Sequence, residues 1–147
     1  MRRFAAALTR DVGEADDLCQ STIERAFRHR QQWEKGTRID SWMYRIMRNC
    51  WIDEARSRTR RGQTFVGAEQ GMEVGTSGGQ EASAELQDIG RALSRLPAEQ
   101  REAVVLVMVE GYSYKEAAEI VGCPVGTLNS RLVRGRDALL SQLGEAA

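Results

Sequence analysis

The stretch 113–136, SYKEAAEIVGCPVGTLNSRLVRGR, constrains the fold more than any other part of the chain. Ser113 and Glu116 have the spacing of a capping box, in which the hydroxyl accepts a backbone N–H at the helix start and the glutamate reaches back to another. A helix therefore begins there. Gly122 suits the left-handed residue that ends a helix, and Cys123-Pro124 opens a second helix at once, with Pro124 tolerated in its first turn because its missing N–H does no harm there. The spacing predicts two helices meeting across a tight turn.

Ala117 and Ala118 allow close approach of the two backbones, and Val121, Val125, Leu128 and Leu132 form the apolar face expected to bury the second helix against the first. The other face carries Thr127, Asn129, Ser130, Arg131 and Arg134. Short hydrogen-bonding side chains beside arginines suit a major-groove reader, because the former reach base edges and the latter hold phosphates. This makes the stretch a helix-turn-helix candidate. An ordinary helical hairpin with a solvated basic face would share the pattern.

The chain has 147 residues, a hydrophobic fraction of 41% and a formal net charge of zero, enough for one domain or two small ones. The neutrality hides an asymmetry. Residues 1–61 hold 14 basic against 9 acidic side chains, residues 62–83 hold three glutamates and no base, and residues 84–147 hold 7 basic against 9 acidic. Contact with nucleic acid must then come from local patches, Arg56, Arg58, Arg60 and Arg61 in one place and Arg131, Arg134 and Arg136 in another. Cys19, Cys50 and Cys123 form no CxxC and read as reduced thiols of a cytoplasmic protein. His29 is the only histidine, which argues against a zinc site. No signal peptide and no bilayer-length apolar run is present, so no membrane contact is expected. There is no nucleophile with a base, no phosphate-binding glycine loop and no paired carboxylates with a histidine, so neither catalysis nor a cofactor is expected.

Taken in order, Phe4 and Leu8 read as the end of a first helix. In a second helix Ala15, Leu18, Cys19, Thr22, Ile23, Ala26 and Phe27 repeat at three and four residues, leaving Asp16, Asp17, Gln20, Ser21, Glu24 and Arg25 outside. Asp40 or Ser41 can cap a third helix starting at Trp42, with Met43, Ile46, Met47 and Cys50 buried. Trp42, Tyr44, Arg45, Arg48, Asn49, Trp51 and Arg56 lie beside that stripe. Aromatic rings among cations suit a single nucleic-acid strand, the rings stacking on unpaired bases and the arginines following phosphates. Core anchorage is the competing role for the tryptophans. Residues 62–83 contain six glycines and no helical period and read as a flexible linker, spanning about 70 Å at ~3.3 Å per residue when extended. Leu86, Ile89, Leu93 and Leu96 then form a stripe ending at Pro97, which opens another helix. The apolar run 103–109 is expected to be the central helix of the C-terminal half, although a buried strand would share its composition. The fold class is thus all-α: two small helical domains, 1–61 and 84–147, joined by a Gly-rich linker over 62–83.

Three stretches in order resemble one family, the extracytoplasmic-function sigma factors of bacterial RNA polymerase. ADDLCQSTIERAF at 15–27 resembles the family's core-polymerase-binding helix. SWMYRIMRN at 41–49, followed by Asp53 and the arginine run, resembles its promoter-melting helix. Residues 96–118 and PVGTLNSR at 124–131 are similar to its −35-reading domain, and the wording around PVGTLNSRL is most similar to the general-stress-response subgroup. The resemblance implies a promoter-specificity factor with core RNA polymerase, promoter DNA and an anti-sigma factor as partners. It implies that Asp16, Asp17, Gln20 and Arg25 face the polymerase, and that Trp42, Arg45, Asn49 and Arg56 engage the unpaired −10 strand. Asn129, Ser130 and Val133 would meet −35 base edges, with Thr127 beside them and Arg131 and Arg134 on flanking phosphates. Asn129 stands where the family often has a basic residue, so the −35 sequence does not follow from it. Two other readings fit parts of the pattern: a stand-alone helix-turn-helix regulator, and a sigma-like decoy that sequesters an anti-sigma factor.

Overall fold

A computed structural model describes residues 1–60 and 84–145, and all regular structure among them is helical. The proposed linker 62–83, together with Arg61 and the side chain of Leu86, lies outside the described residues. The N-terminal half holds α1 (Arg2–Thr9), α2 (Val12–Arg28) and α3 (Ile39–Arg60). The C-terminal half holds α4 (Ala84–Ser94), α5 (Ala98–Val104), α6 (Tyr114–Val121) and α7 (Val125–Glu145). Within each half the ordering is simple: α2 packs between α1 and α3, and α5 lies along α7.

Local signals account for the start of α2 and both ends of α6. Asp11 takes the Gly13 N–H and caps α2. Both reciprocal bonds of the capping box are made, Glu116 N–H to Ser113 at 3.1 Å and Ser113 N–H to Glu116 at 3.0 Å. Gly122 closes α6 at φ 73°, a left-handed conformation in which a side chain is strained. Pro124 stands just ahead of α7 rather than inside it, its carbonyl accepting the Leu128 N–H. The third helix starts three residues before the expected Trp42, because Asp40 sits in its first turn and binds Arg38 instead of capping.

The apolar run 103–109 is helical, as its flanks predict, but it changes period. α5 gives way at Val105 to one π-type turn, Val105–Val109, with the Glu110 N–H bonding back to the Val105 carbonyl. That wider turn leaves Met108 and Val109 exposed, so the run is not buried all round.

Three other burial expectations fail for one reason: stripe width depends on how many neighbours a helix has. On α2 only Ala15, Leu18, Thr22 and Ala26 are buried, whereas Ile23 and Phe27 are 53% and 67% exposed. The residue after each buried position lies about 100° further round the helix, beyond the narrow seam that α1 and α3 cover. On α3 the reverse holds. α1, α2 and α6 all pack on it, and Tyr44, expected beside the stripe, is 4% exposed. Val125, the first residue of α7, and Ile89, in the middle of α4 where α7 is the main neighbour, are exposed, whereas Leu128, Leu132 and Leu96 are buried.

The two halves share one core. Phe4, Tyr44 and Tyr112 stack edge to face across them, with centroids 5.0 and 5.6 Å apart. Buried Arg101 of α5 donates to the carbonyls of Ala7 in α1 and Leu96. Burial pushes its guanidinium down to about 10, so it remains cationic at neutral pH. Arg10 reaches the Ser94 carbonyl at 2.9 Å.

Candidate nucleic-acid interface

α7 is held by its buried side, Leu128, Leu132 and Leu139, and by Gly135, where an added Cβ would lie 2.8 Å from Val104 and 3.1 Å from the Gln100 carbonyl. That close approach fixes which face of α7 points outward. Asn129, Ser130, Val133 and Arg134 are exposed on it, and Thr127 is half-buried. The Ser130 hydroxyl is donated to the Gly126 carbonyl at 3.1 Å, leaving its oxygen lone pairs toward solvent. Arg131 is not free. It is half-buried against α5, 3.6 Å from the Glu99 carboxylate.

On α3, Trp42, Arg45, Asn49 and Arg56 follow one another at helical intervals of three, four and seven, so they share a face. Arg45, Asn49 and Arg56 are exposed, and Trp42 is half-buried. Trp42 and Arg45 line one open cleft of about 420 Å³ with Arg38, Ser41, Glu116 and Glu119. Arg56 lines a second at the far end of the helix with Trp51, Asp53 and Arg60. Arg58, one of the expected patch cations, is instead bound by Glu14 at 3.0 Å and Glu54 at 3.1 Å.

On α2, Asp16, Asp17 and Gln20 are exposed, Asp16 lying 3.5 Å from Arg2. Arg25 turns toward α3 and pairs with Asp53 at 3.2 Å. The three sets therefore occupy three helices, and the α2 and α3 sets are brought together through the Arg25–Asp53 pair.

Sequence reasoning did not find the groups that join the halves. Arg48 of α3 donates to Glu102 of α5 at 2.9 Å with both side chains largely buried. Burial pushes the Glu102 carboxyl up, and Arg48 pulls against that shift. Arg38 bridges Asp40 and Glu116, each at 2.9 Å, and lies over the Tyr112 ring. The backbone N–H of Ser113 and then Arg38 hold the Glu116 carboxyl below its ordinary value. No local pattern marks these pairs, whose members stand 54 and 78 residues apart.

This is a helical scaffold that presents one aromatic and basic helix and one helix-turn-helix, and known proteins share it. The family model described as Sigma-70 region 2 matches residues 1–61, and Sigma-70 region 4 matches residues 86–139. The chain is 36% identical to the sigma factor EcfG of Rhodopseudomonas palustris over 97% of its own length and 78% of the relative's. It is also 36% identical to the sigma factor SigC of Mycobacterium tuberculosis, over 95% and 75%. Its structure is similar to the sigma factor RpoE of Bartonella quintana, solved in complex with the anti-sigma factor NepR, with TM-score 0.83, 34% identity and coverage of 97% and 89%. With both domain families matched in order and relatives aligned over nearly its whole length, the chain belongs to the extracytoplasmic-function sigma factors of the sigma-70 family.

Proposed function

We infer that the chain divides promoter-specific transcription initiation, the task of its family, among three helices. α3 engages the unpaired −10 strand: Trp42 and Asn49 hold a base turned out of the stack, and Arg45 and Arg56 follow the phosphates. Extruding a base costs a few kcal/mol, which these contacts must offset. α7 reads the −35 duplex with Asn129, Ser130 and Val133 at base edges, Thr127 beside them, and Arg134 and Arg131 on phosphates. Arg131 reaches a phosphate only by leaving Glu99.

The acidic and polar face of α2, Asp16, Asp17 and Gln20, meets core RNA polymerase, with Arg25 at its edge. Ile23 and Phe27 extend that face with the apolar area that a stable interface needs at its centre. Residues 1–61 and 84–147 act as the two working domains, with 62–83 as the connection between them. The protein acts in the cytoplasm without catalysis of its own and is restrained by an anti-sigma factor, as the related RpoE is complexed with NepR. Its place in the general-stress-response subgroup rests on the PVGTLNSRL wording.

The observation that carries this reading is the single exposed face of α3 on which Arg45, Asn49 and Arg56 stand with Trp42. Run-off transcription with purified core polymerase on a pool of promoter fragments tests it. Defined starts that depend on the chain and fall with Asn49→Ala are expected. Binding to polymerase without any transcript would favour the decoy, and binding to palindromic duplex without polymerase would favour a conventional regulator.

A further inference from the structure

A half-open cavity of about 160 Å³ lies where α1 meets α4 and α5. Its walls are apolar: Ala6 of α1, Gly90 and Leu93 of α4, and Val105 and Val109, the two ends of the π-type turn. Arg3, Arg10 and Arg101 line it as well, and among the described residues no carboxylate does. An apolar cavity of about 150 Å³ takes a benzene ring, so a body of about six to eight carbons fits here.

Arg101 is short of an anion. It is 3% exposed, and its bonds, from Nε to the Ala7 carbonyl and from Nη1 to the Leu96 carbonyl, leave Nη2 without a partner among the described residues. Burial and then Arg10 work against its charge, and Glu102 offsets them only in part, its own carboxylate being held by Arg48. A buried cation served by carbonyls has already lost its water, so an anion brought to it incurs only its own desolvation. Two departures from ordinary helix border the same space. Gly90 stands in the interior of α4, where glycine is disfavoured. The π-type turn, a distortion that recurs at functional sites, sets Val105 and Val109 on one wall.

We propose that this cavity binds a small organic monocarboxylate, an aliphatic or aryl acid of about eight carbons. Its body lies against Leu93, Val105 and Val109, and its carboxylate meets the guanidinium of Arg101, with exposed Arg3 and half-buried Arg10 beside it. Because the lining comes from both halves, the acid binds only the docked chain and stabilises it by mass action. The site uses none of the residues assigned to DNA or polymerase, so its failure would leave the proposed function untouched.

The test titrates sodium octanoate into the isotope-labelled full chain and follows backbone amide shifts by NMR, with octan-1-ol and inorganic phosphate as probes of body and charge alone. Octanoate is expected to saturate with a Kd of about 0.5 mM, its shifts gathered around Ala6, Gly90 and Val105. Each of the other two probes should bind about tenfold more weakly, because neither makes both kinds of contact. Ala6→Leu with Gly90→Ala adds bulk from two walls and should weaken octanoate about tenfold without lowering the melting temperature of the unliganded chain. Arg101→Met should weaken octanoate about tenfold and leave octan-1-ol unchanged. If either variant melts early by circular dichroism, Arg3→Gln with Arg10→Gln must still weaken octanoate about threefold. No saturation below about 10 mM, shifts scattered over the surface, or octan-1-ol or phosphate binding as tightly as octanoate overturns the proposal. So does unchanged octanoate affinity in the filled variant, or in the arginine variants that fold.

Discussion

At the scale of single residues the two arginines of the helix-turn-helix are not equivalent. Arg134 is exposed, whereas Arg131 sits half-buried beside Glu99. Replacing either with alanine should weaken duplex binding uniformly across sequences and reduce the slope of log affinity against log salt by about one, but Arg131→Ala should cost less, because its wild-type cation must first leave a carboxylate. Asn129→Ala should instead change which −35 bases are preferred, by about 1–3 kcal/mol at the affected step. Competition binding with a randomised −35 element at several salt concentrations separates the two behaviours. Tyr44 is of a different kind. Although it lies in sequence among the residues proposed to engage DNA, it fills the core between Phe4 and Tyr112, and Tyr44→Ala should cost about 3–5 kcal/mol in urea unfolding. Burial and then Glu110 push its hydroxyl up, so it stays protonated throughout the working range. Sequence alone put it beside the stripe because a tyrosine among arginines reads equally as a stacking platform.

At the scale of elements, α6 and α7 were legible because everything that starts and stops them is local. Ser113→Ala should remove one half of the capping box and cost about 1 kcal/mol, seen as a lower midpoint in urea. The same box gives a pH signature. Because Glu116 is held below its ordinary value, its contribution to stability is fully present above about pH 4.3, the ordinary glutamate value, and is lost as pH falls through the depressed folded value. Arg38→Gln should bring that loss to higher pH, which acid titration followed by circular dichroism would detect. Gly135 is an element-scale feature with no sequence signal, since a glycine inside a helix marks no particular contact. Gly135→Ala should force α5 and α7 apart and cost about 1–3 kcal/mol. On α2 the seven apolar positions were legible as a set, but the division between buried Ala15, Leu18, Thr22 and Ala26 and exposed Ile23 and Phe27 was not. Period identifies an apolar side of a helix, and only the number of helices packed there sets how much of it is covered.

At the scale of the whole molecule, the halves share one core, and a compact chain of 147 residues has a radius of gyration of about 15 Å. The −10 and −35 elements lie about 25 base pairs apart by name, ~85 Å at ~3.4 Å per step. A chain closed as described cannot reach both, so initiation requires the halves to separate. Small-angle scattering should give a compact value for the free chain and a clearly larger one for the chain bound to core polymerase; an expanded free chain would show that the closed state is not the one in solution. Legible in the sequence alone were the helices as elements, the capping box and glycine stop of α6, the exposed polar face of α7 and the family, because capping bonds and helical period act within a few residues of one another. The docking of the halves came only with tertiary packing, and with it the burial of Tyr44, the engagement of Arg131 and the Arg48–Glu102 and Arg38–Glu116 pairs. Those depend on desolvation and close packing between residues more than 30 positions apart, which no local pattern encodes.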